Sequence, residues 1–123
     1  MVLDKLNVMI VDDSLIIRRN LKKIILELGH NVVFETNSGR GAVDNYGLHM
    51  PDLVTMDITM PDMDGIQAVK KIKQEFPDAN IVMVTSHGQE EMVRNAIISG
   101  ARGYILKPIV IEKVEESIDK IFG

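Results

Sequence analysis

The sequence predicts an α/β fold, a parallel sheet covered by helices on both faces. Three observations lead there. Short apolar runs at residues 6–11, 32–34, 53–56, 81–84 and 104–106 have the length and composition of buried strands. Between most of them, apolar residues recur at spacings of three and four, the period of a helix packed by one face. The two patterns alternate five times, and strands separated by helices of this length pair in parallel.

The first strand, 6–11, ends at Asp12-Asp13, and Ser14 can cap the helix that follows. Ile17, Leu21, Ile24 and Leu28 form one helix face, Arg18, Arg19, Lys22 and Lys23 fall largely on the other, and Gly29 stops the helix. A shorter strand at 32–34 leads to the turn Asn37-Ser38-Gly39 and a short, weak helix at 42–46. Pro51 introduces the third strand, 53–56, which ends in Asp57. Thr59-Met60-Pro61 and the turn-rich Asp62-Met63-Asp64-Gly65 come next. Ile66, Val69 and Ile72 stripe a third helix closed by Phe76-Pro77. The fourth strand, 81–84, runs into Thr85-Ser86. A helix at 89–99 carries acids in its first turn, where they suit the helix dipole, and Gly100 follows. The fifth strand, 104–106, ends at Lys107-Pro108, and Val114, Ile118 and Ile121 stripe the last helix.

Composition narrows the function. At 123 residues and 46% hydrophobic, the chain is sized for one core, so a single domain over 1–123 is expected, without linker or repeat. The absence of Cys excludes disulfides, zinc-thiolate sites and a thiol nucleophile. No apolar run is long enough to span a membrane and no basic-then-apolar signal opens the chain, which points to the cytoplasm. The net charge of −4, with no Lys/Arg cluster, argues against nucleic acid or an anionic membrane as direct partner. The frequent Met residues serve as core filler.

In a parallel sheet the strands' carboxyl ends share one edge, where ligands bind. Asp12 and Asp13, Asp57, Thr85 and Lys107 all fall at that edge, brought from four distant segments. A single strand-end Asp is ordinarily a turn or cap residue, Asp-Asp-Ser is often capping, and Lys-Pro often marks a plain strand end. Five such residues at four strand ends make a site. Crowded carboxylates repel, and a divalent cation relieves the repulsion; an all-oxygen donor set suits Mg²⁺. A carboxylate is already deprotonated at neutral pH and can attack phosphorus to form an aspartyl phosphate. Metal and Lys would neutralise the transferring phosphoryl group, and a hydroxyl can donate to it.

Val11-Asp12-Asp13-Ser14, Met56-Asp57-Ile58-Thr59-Met60-Pro61 with Asp64-Gly65, Val84-Thr85-Ser86 and Gly103-Tyr104-Ile105-Leu106-Lys107-Pro108 resemble the motifs of response-regulator receiver domains. The resemblance runs the whole length of the chain. The short length and the run Ser99-Gly100-Ala101-Arg102-Gly103 are similar to the stand-alone chemotaxis members. The resemblance implies a flavodoxin-like (βα)5 doubly wound sandwich, with a five-stranded parallel sheet in the order 2-1-3-4-5. It implies Asp57 as phosphoacceptor, with Lys107 and Thr85 acting on the phosphoryl group. Mg²⁺ would be held by Asp13, Asp57 and the backbone carbonyl of Thr59, and by Asp12 through water. The Lys107-Pro108 bond would be cis. Thr85 and Tyr104 would be a switch pair: the Thr85 hydroxyl moves toward the phosphoryl group, and Tyr104 rotates into the space it leaves. Thr59 and His87 would tune hydrolysis. The implied partners are a histidine kinase, a downstream protein target such as a flagellar motor switch protein, and a phosphatase. Catalysis would be confined to the chain's own phosphorylation and dephosphorylation.

Other readings stand beside this one. A flavodoxin-type cofactor binder needs a hydroxyl- and Gly-rich phosphate loop after strand one, where this chain has Asp12-Asp13. A haloacid-dehalogenase-type phosphatase carries a second Asp two residues beyond the nucleophile, where this chain has Thr59. A receiver could equally serve as phosphorelay intermediate, phosphate sink or part of a longer regulator. Many chemotaxis relatives carry an aromatic after Lys-Pro; Ile109 stands here. His30 and His49 read as ordinary loop residues.

Overall fold

A computed structural model describes residues 5–86 and 90–123. Five strands and five helices alternate: β1 (Asn7–Val11), α1 (Leu15–Glu27), β2 (Asn31–Thr36), α2 (Gly39–His49), β3 (Leu53–Asp57), α3 (Gly65–Glu75), β4 (Ile81–Thr85), α4 (Glu90–Ile98), β5 (Gly103–Leu106) and α5 (Ile111–Phe122). All four strand pairings are parallel and the order is β2-β1-β3-β4-β5, the flavodoxin-like arrangement the motifs imply. The chain winds outward from β1 in one direction and from β3 in the other. A crevice therefore opens between their carboxyl ends, the switch point of an open α/β sheet.

The two-residue alternation of strand side chains divides the core. Val8, Ile10, Leu53, Val82, Val84 and Ile105 pack with Leu21, Ile24 and Ile25 of α1 and Val114 and Ile118 of α5. Met9, Val11, Val54, Met56, Ile81 and Met83 pack with Ala42 and Tyr46 of α2, Ala68, Val69 and Ile72 of α3, and Ala96 of α4. β3 and β4 are buried at every residue. That is why they appear in the sequence as continuous apolar runs rather than alternating ones. Among the described residues no helix is long and apolar enough to cross a membrane.

Helix starts follow the cap residues. Ser14 Oγ accepts from Ile17 N–H, Ser38 Oγ from Gly41 N–H and Asp64 Oδ1 from Gln67 N–H. Gly29 takes φ +88° as α1 gives way to β2.

The structure corrects several element bounds. The short, weak helix expected at 42–46 is an eleven-residue helix, Gly39–His49. Gly39, Gly41 and Gly47 depress its intrinsic propensity, but the Ser38 cap and the burial of Ala42 and Tyr46 override that. His49 is consequently not a loop residue: it ends α2 and stacks on Phe34, ring centroids 4.6 Å apart. β2 extends past 32–34 at both ends, because it pairs with β1 from Asn31 to Thr36. His30 does lie outside the regular elements, where its Nδ1 faces Leu6 N–H at 3.0 Å. The helix expected at 89–99 is described over Glu90–Ile98; Gln89, like His87, lies outside the described residues.

Candidate functional site

Four strand ends deliver the polar residues of the site. Where β1 ends, the Asp12 N–H donates to the Thr36 carbonyl of β2, 3.1 Å away, so the strand pairing continues one residue further. Asp12 is fully buried. Its Oδ1 accepts from Ser14 N–H at 2.9 Å, turning the chain into α1. Its carbonyl oxygen accepts from Arg18 Nη1 at 2.6 Å. Asp13 stands exposed at the rim. Asp57 closes β3 and Thr85 closes β4, each 6% exposed.

Lys107 follows β5, its N–H donating to the Thr85 carbonyl at 2.8 Å. The Lys107-Pro108 bond is cis. The Lys107 ammonium lies 3.0 Å from Asp12 Oδ2 and 3.6 Å from Asp57 Oδ1. The amine, carried by β5, thus reaches across β4 to bridge two buried acids at the ends of the neighbouring strands β1 and β3.

Asp12, Asp13 and Asp57 each offer a carboxylate oxygen within 4.8 Å of the others. Removing that much negative charge from water is unfavourable, and the site carries the mark of it. Burial and then the neighbouring Asp12 charge push the Asp57 carboxyl up to about 6; Lys107 opposes them, and Asp13 adds to the rise. Asp12 Oδ2, although beside Lys107, makes no hydrogen bond among the described residues. A buried carboxylate oxygen held only by charge, next to two further carboxylates, has the character of a ligand for a hard cation. All donors are oxygens, as Mg²⁺ or Ca²⁺ requires. The three carboxylates therefore fit a divalent cation.

Above the acids lies a cavity of about 350 Å³ lined by Asp13, Asp57, Thr59, Thr85, Ser86, Met92 and Lys107. All of the strand-end residues singled out from the sequence except buried Asp12 line it. Tyr104 lies apart from it. It is partly exposed on β5, opposite Met83 in register, while Thr85 faces Leu106. By strand alternation Thr85 and Tyr104 share one side of the sheet. Tyr104 lines a groove of about 450 Å³ with Leu106, Val110, Lys113 and Lys120. Ile109 is buried, 6% exposed, against the α1–α5 side of the core.

Arg18 is a residue that periodicity alone misplaces. Its stretch looks like a solvated basic face, yet its side chain is only 16% exposed and reaches back to the Asp12 carbonyl just past β1. Asp62, read from the sequence only as part of a turn, makes a further contact that the sequence does not signal. Its carboxylate accepts from Gly39 and Arg40 N–H at 3.2 and 3.0 Å, tying the loop after β3 to the start of α2. Those bonds hold its carboxyl below the usual range. No sequence spacing signals either contact, because both join segments whose approach depends on the finished sheet.

Residues 8–119 match the response regulator receiver domain family. The chain is 48% identical over 113 residues to the chemotaxis protein CheY of Bacillus subtilis, covering 92% of this chain and 94% of that protein. It is 45% identical over 114 residues to CheY of Thermotoga maritima, covering 93% and 95%. Among solved structures, the CheX-CheY-BeF3-Mg2+ complex of Borrelia burgdorferi superposes with a TM-score of 0.92 at 36% identity, covering 96% of this chain and 90% of that one. With the acidic crevice at the switch point and a matching family over nearly all of its length, the chain belongs to the response regulator receiver domain family and is CheY-like.

Proposed function

We propose that this chain is a single receiver unit, residues 1–123, that takes a phosphoryl group from a histidine kinase onto Asp57 and signals by altering its surface. The observation that carries this reading is the meeting of Asp12, Asp13 and Asp57 with the Lys107 ammonium, 3.0 Å from Asp12 and 3.6 Å from Asp57.

In this reading Asp57 Oδ attacks the phosphorus of a phosphohistidine, the P–N bond breaks and the imidazole leaves. Water later attacks the same phosphorus, returning the carboxylate and inorganic phosphate. Asp13, Asp57 and the Thr59 carbonyl would hold Mg²⁺, with Asp12 supporting it through a water, and the ion when bound would supply positive charge against the phosphoryl oxygens. Lys107 supplies a second positive charge, and its proximity to Asp57 keeps the carboxylate ionised for attack. Thr85 donates to the phosphoryl oxygen, and Tyr104 turns into the space it vacates. Thr59 and His87 tune the rate of that hydrolysis. The protein works in the cytoplasm and turns over only its own phosphoryl group.

The altered surface runs over α4, β5 and α5, with a chemotaxis protein such as a flagellar motor switch component or a CheX-like protein as its partner. The kinship with chemotaxis proteins supports that assignment over the phosphorelay reading.

Intact-mass measurement after incubation with acetyl phosphate and Mg²⁺ tests the chemistry. One phosphoryl group on the native chain, labile to hydroxylamine and absent from Asp57→Asn, is expected. Unchanged labelling of Asp57→Asn, or none of the native chain, overturns the reading.

A further inference from the structure

We propose that Arg18 is a positioning residue for the acidic pair, aiming the Asp13 carboxylate at the cation through the peptide that joins Asp12 to Asp13. The inference rests on the cation reading given above and adds to it a residue outside the acid cluster. Asp13 is exposed, so its aim depends on the backbone that carries it. That backbone is held on both polar groups of Asp12: the N–H by the Thr36 carbonyl at 3.1 Å, and the carbonyl by Arg18 Nη1 at 2.6 Å. Because the peptide is planar, fixing the Asp12 carbonyl orients the Asp13 N–Cα bond as well.

Arg18 is itself held. Its Nε lies 3.9 Å from Glu35 Oε1, and Lys22 Nζ lies 3.4 Å from the other Glu35 oxygen. Glu35 precedes Thr36 on β2, so one short segment of β2 sets both clamps on Asp12. A guanidinium can serve acceptors on two different elements with its fixed fork of donors, which an ammonium cannot do in the same geometry.

Charge and position predict opposite signs, which makes the idea testable. If Arg18 acted only as a cation near the site, it would repel Mg²⁺, and its removal would tighten binding. If it acts by position, its removal weakens binding. Mg²⁺ titration by calorimetry, with Mn²⁺ binding followed by electron paramagnetic resonance, separates the two in native protein, Arg18→Met, Arg18→Lys and Glu35→Gln. Second-sphere support of this kind is typically worth about tenfold or more in metal affinity. Arg18→Met is therefore expected to bind Mg²⁺ about tenfold more weakly, Arg18→Lys to fall between it and native protein, and Glu35→Gln to lose a few-fold with Arg18 intact. A purely structural role would lower the thermal midpoint and leave the affinity of the folded protein where it was. Folded Arg18→Met binding Mg²⁺ as tightly as native protein, or more tightly, overturns the inference. Should Arg18→Met fail to fold, native affinity in both Arg18→Lys and Glu35→Gln overturns it instead. Absence of binding by native protein overturns the cation reading itself, and the inference with it.

Discussion

Burial and the Asp12 charge raise the Asp57 carboxyl to about 6, well above its ordinary 3.8. In the unfolded chain the same group titrates at its ordinary value, so ionising it is harder in the folded state. The stability associated with the protonated form is fully present below pH 3.8 and is lost as the pH rises through about 6. At neutral pH and without a divalent cation, the native protein thus carries a strained carboxylate that Asp57→Asn removes. Asp57→Asn is expected to be the more stable protein above pH 6, by about 2 kcal/mol once screening at the site's rim is allowed for. The advantage should shrink toward zero as the pH falls below 4. Urea midpoints measured across that range check it, and a pH-independent difference would show that the acids do not crowd one another. Added Mg²⁺ should stabilise the native chain far more than the variant, since it binds the folded state alone. At this scale the strand-end acids and Lys107 were legible because a parallel sheet places its strand ends together whatever the loops do. Arg18 was not legible: helical periodicity assigns a face, but not which neighbouring backbone a long side chain reaches.

Among the elements, α2 departs furthest from what the sequence leads one to expect. Three glycines argue for a weak helix, whereas tertiary contacts extend it to His49. Its end is also irregular. Met50 caps it in the left-handed region at φ 42°, ψ 58°, where Met50 N–H donates to the Tyr46 carbonyl at 2.7 Å. A side chain with a Cβ is strained there by about 1 kcal/mol, and Met50 is 57% exposed, so little packing compensates. Met50→Gly is expected to raise stability by about 0.5–1 kcal/mol, read as a higher denaturation midpoint with an unchanged urea slope. A lower midpoint would mean that the exposed Met side chain contributes more than its backbone conformation costs. β3 and β4 show the opposite relation between sequence and element. Their burial on both faces made each apolar run unambiguous, and their bounds matched the reading to within a residue. Gly65 is explained only by the loop that follows β3. A Cβ there would run into the Asp57 carbonyl, and its N–H donates to Ile58 O at 2.6 Å, so α3 starts directly beneath Asp57.

Across the whole molecule, the sheet is what joins the acidic edge to a distant surface. Thr85 sits at the rim of the acidic cavity and Tyr104 in the groove beside α5, on neighbouring strands and the same side of the sheet. Their pairing was legible only through the family resemblance, which also implied that β4 and β5 are adjacent and parallel. The family resemblance implied that Tyr104 belongs to a surface over α4, β5 and α5; the groove it lines with Val110, Lys113 and Lys120 was not legible, because no spacing says which α5 side chains reach β5. The chain offers its own probe of the switch. It has two tyrosines and no tryptophan, and Tyr46 is 4% exposed while Tyr104 is 48% exposed. Quenching of tyrosine emission by acrylamide should therefore report an accessible ring and a shielded one. Beryllofluoride with Mg²⁺, a stand-in for the phosphoryl group on Asp57, should draw the Thr85 hydroxyl inward and let Tyr104 follow, converting most of the accessible emission to shielded. A ligand shifts an equilibrium only through contacts that differ between its two states, and the Thr85 hydroxyl is the contact proposed to differ. Thr85→Ala should accordingly bind beryllofluoride yet keep its accessible tyrosine, and Tyr104→Phe should show only the shielded Tyr46 throughout. If Thr85→Ala shields Tyr104 as fully as native protein does, the link between Asp57 and this surface runs through other residues, and the two-residue switch is wrong.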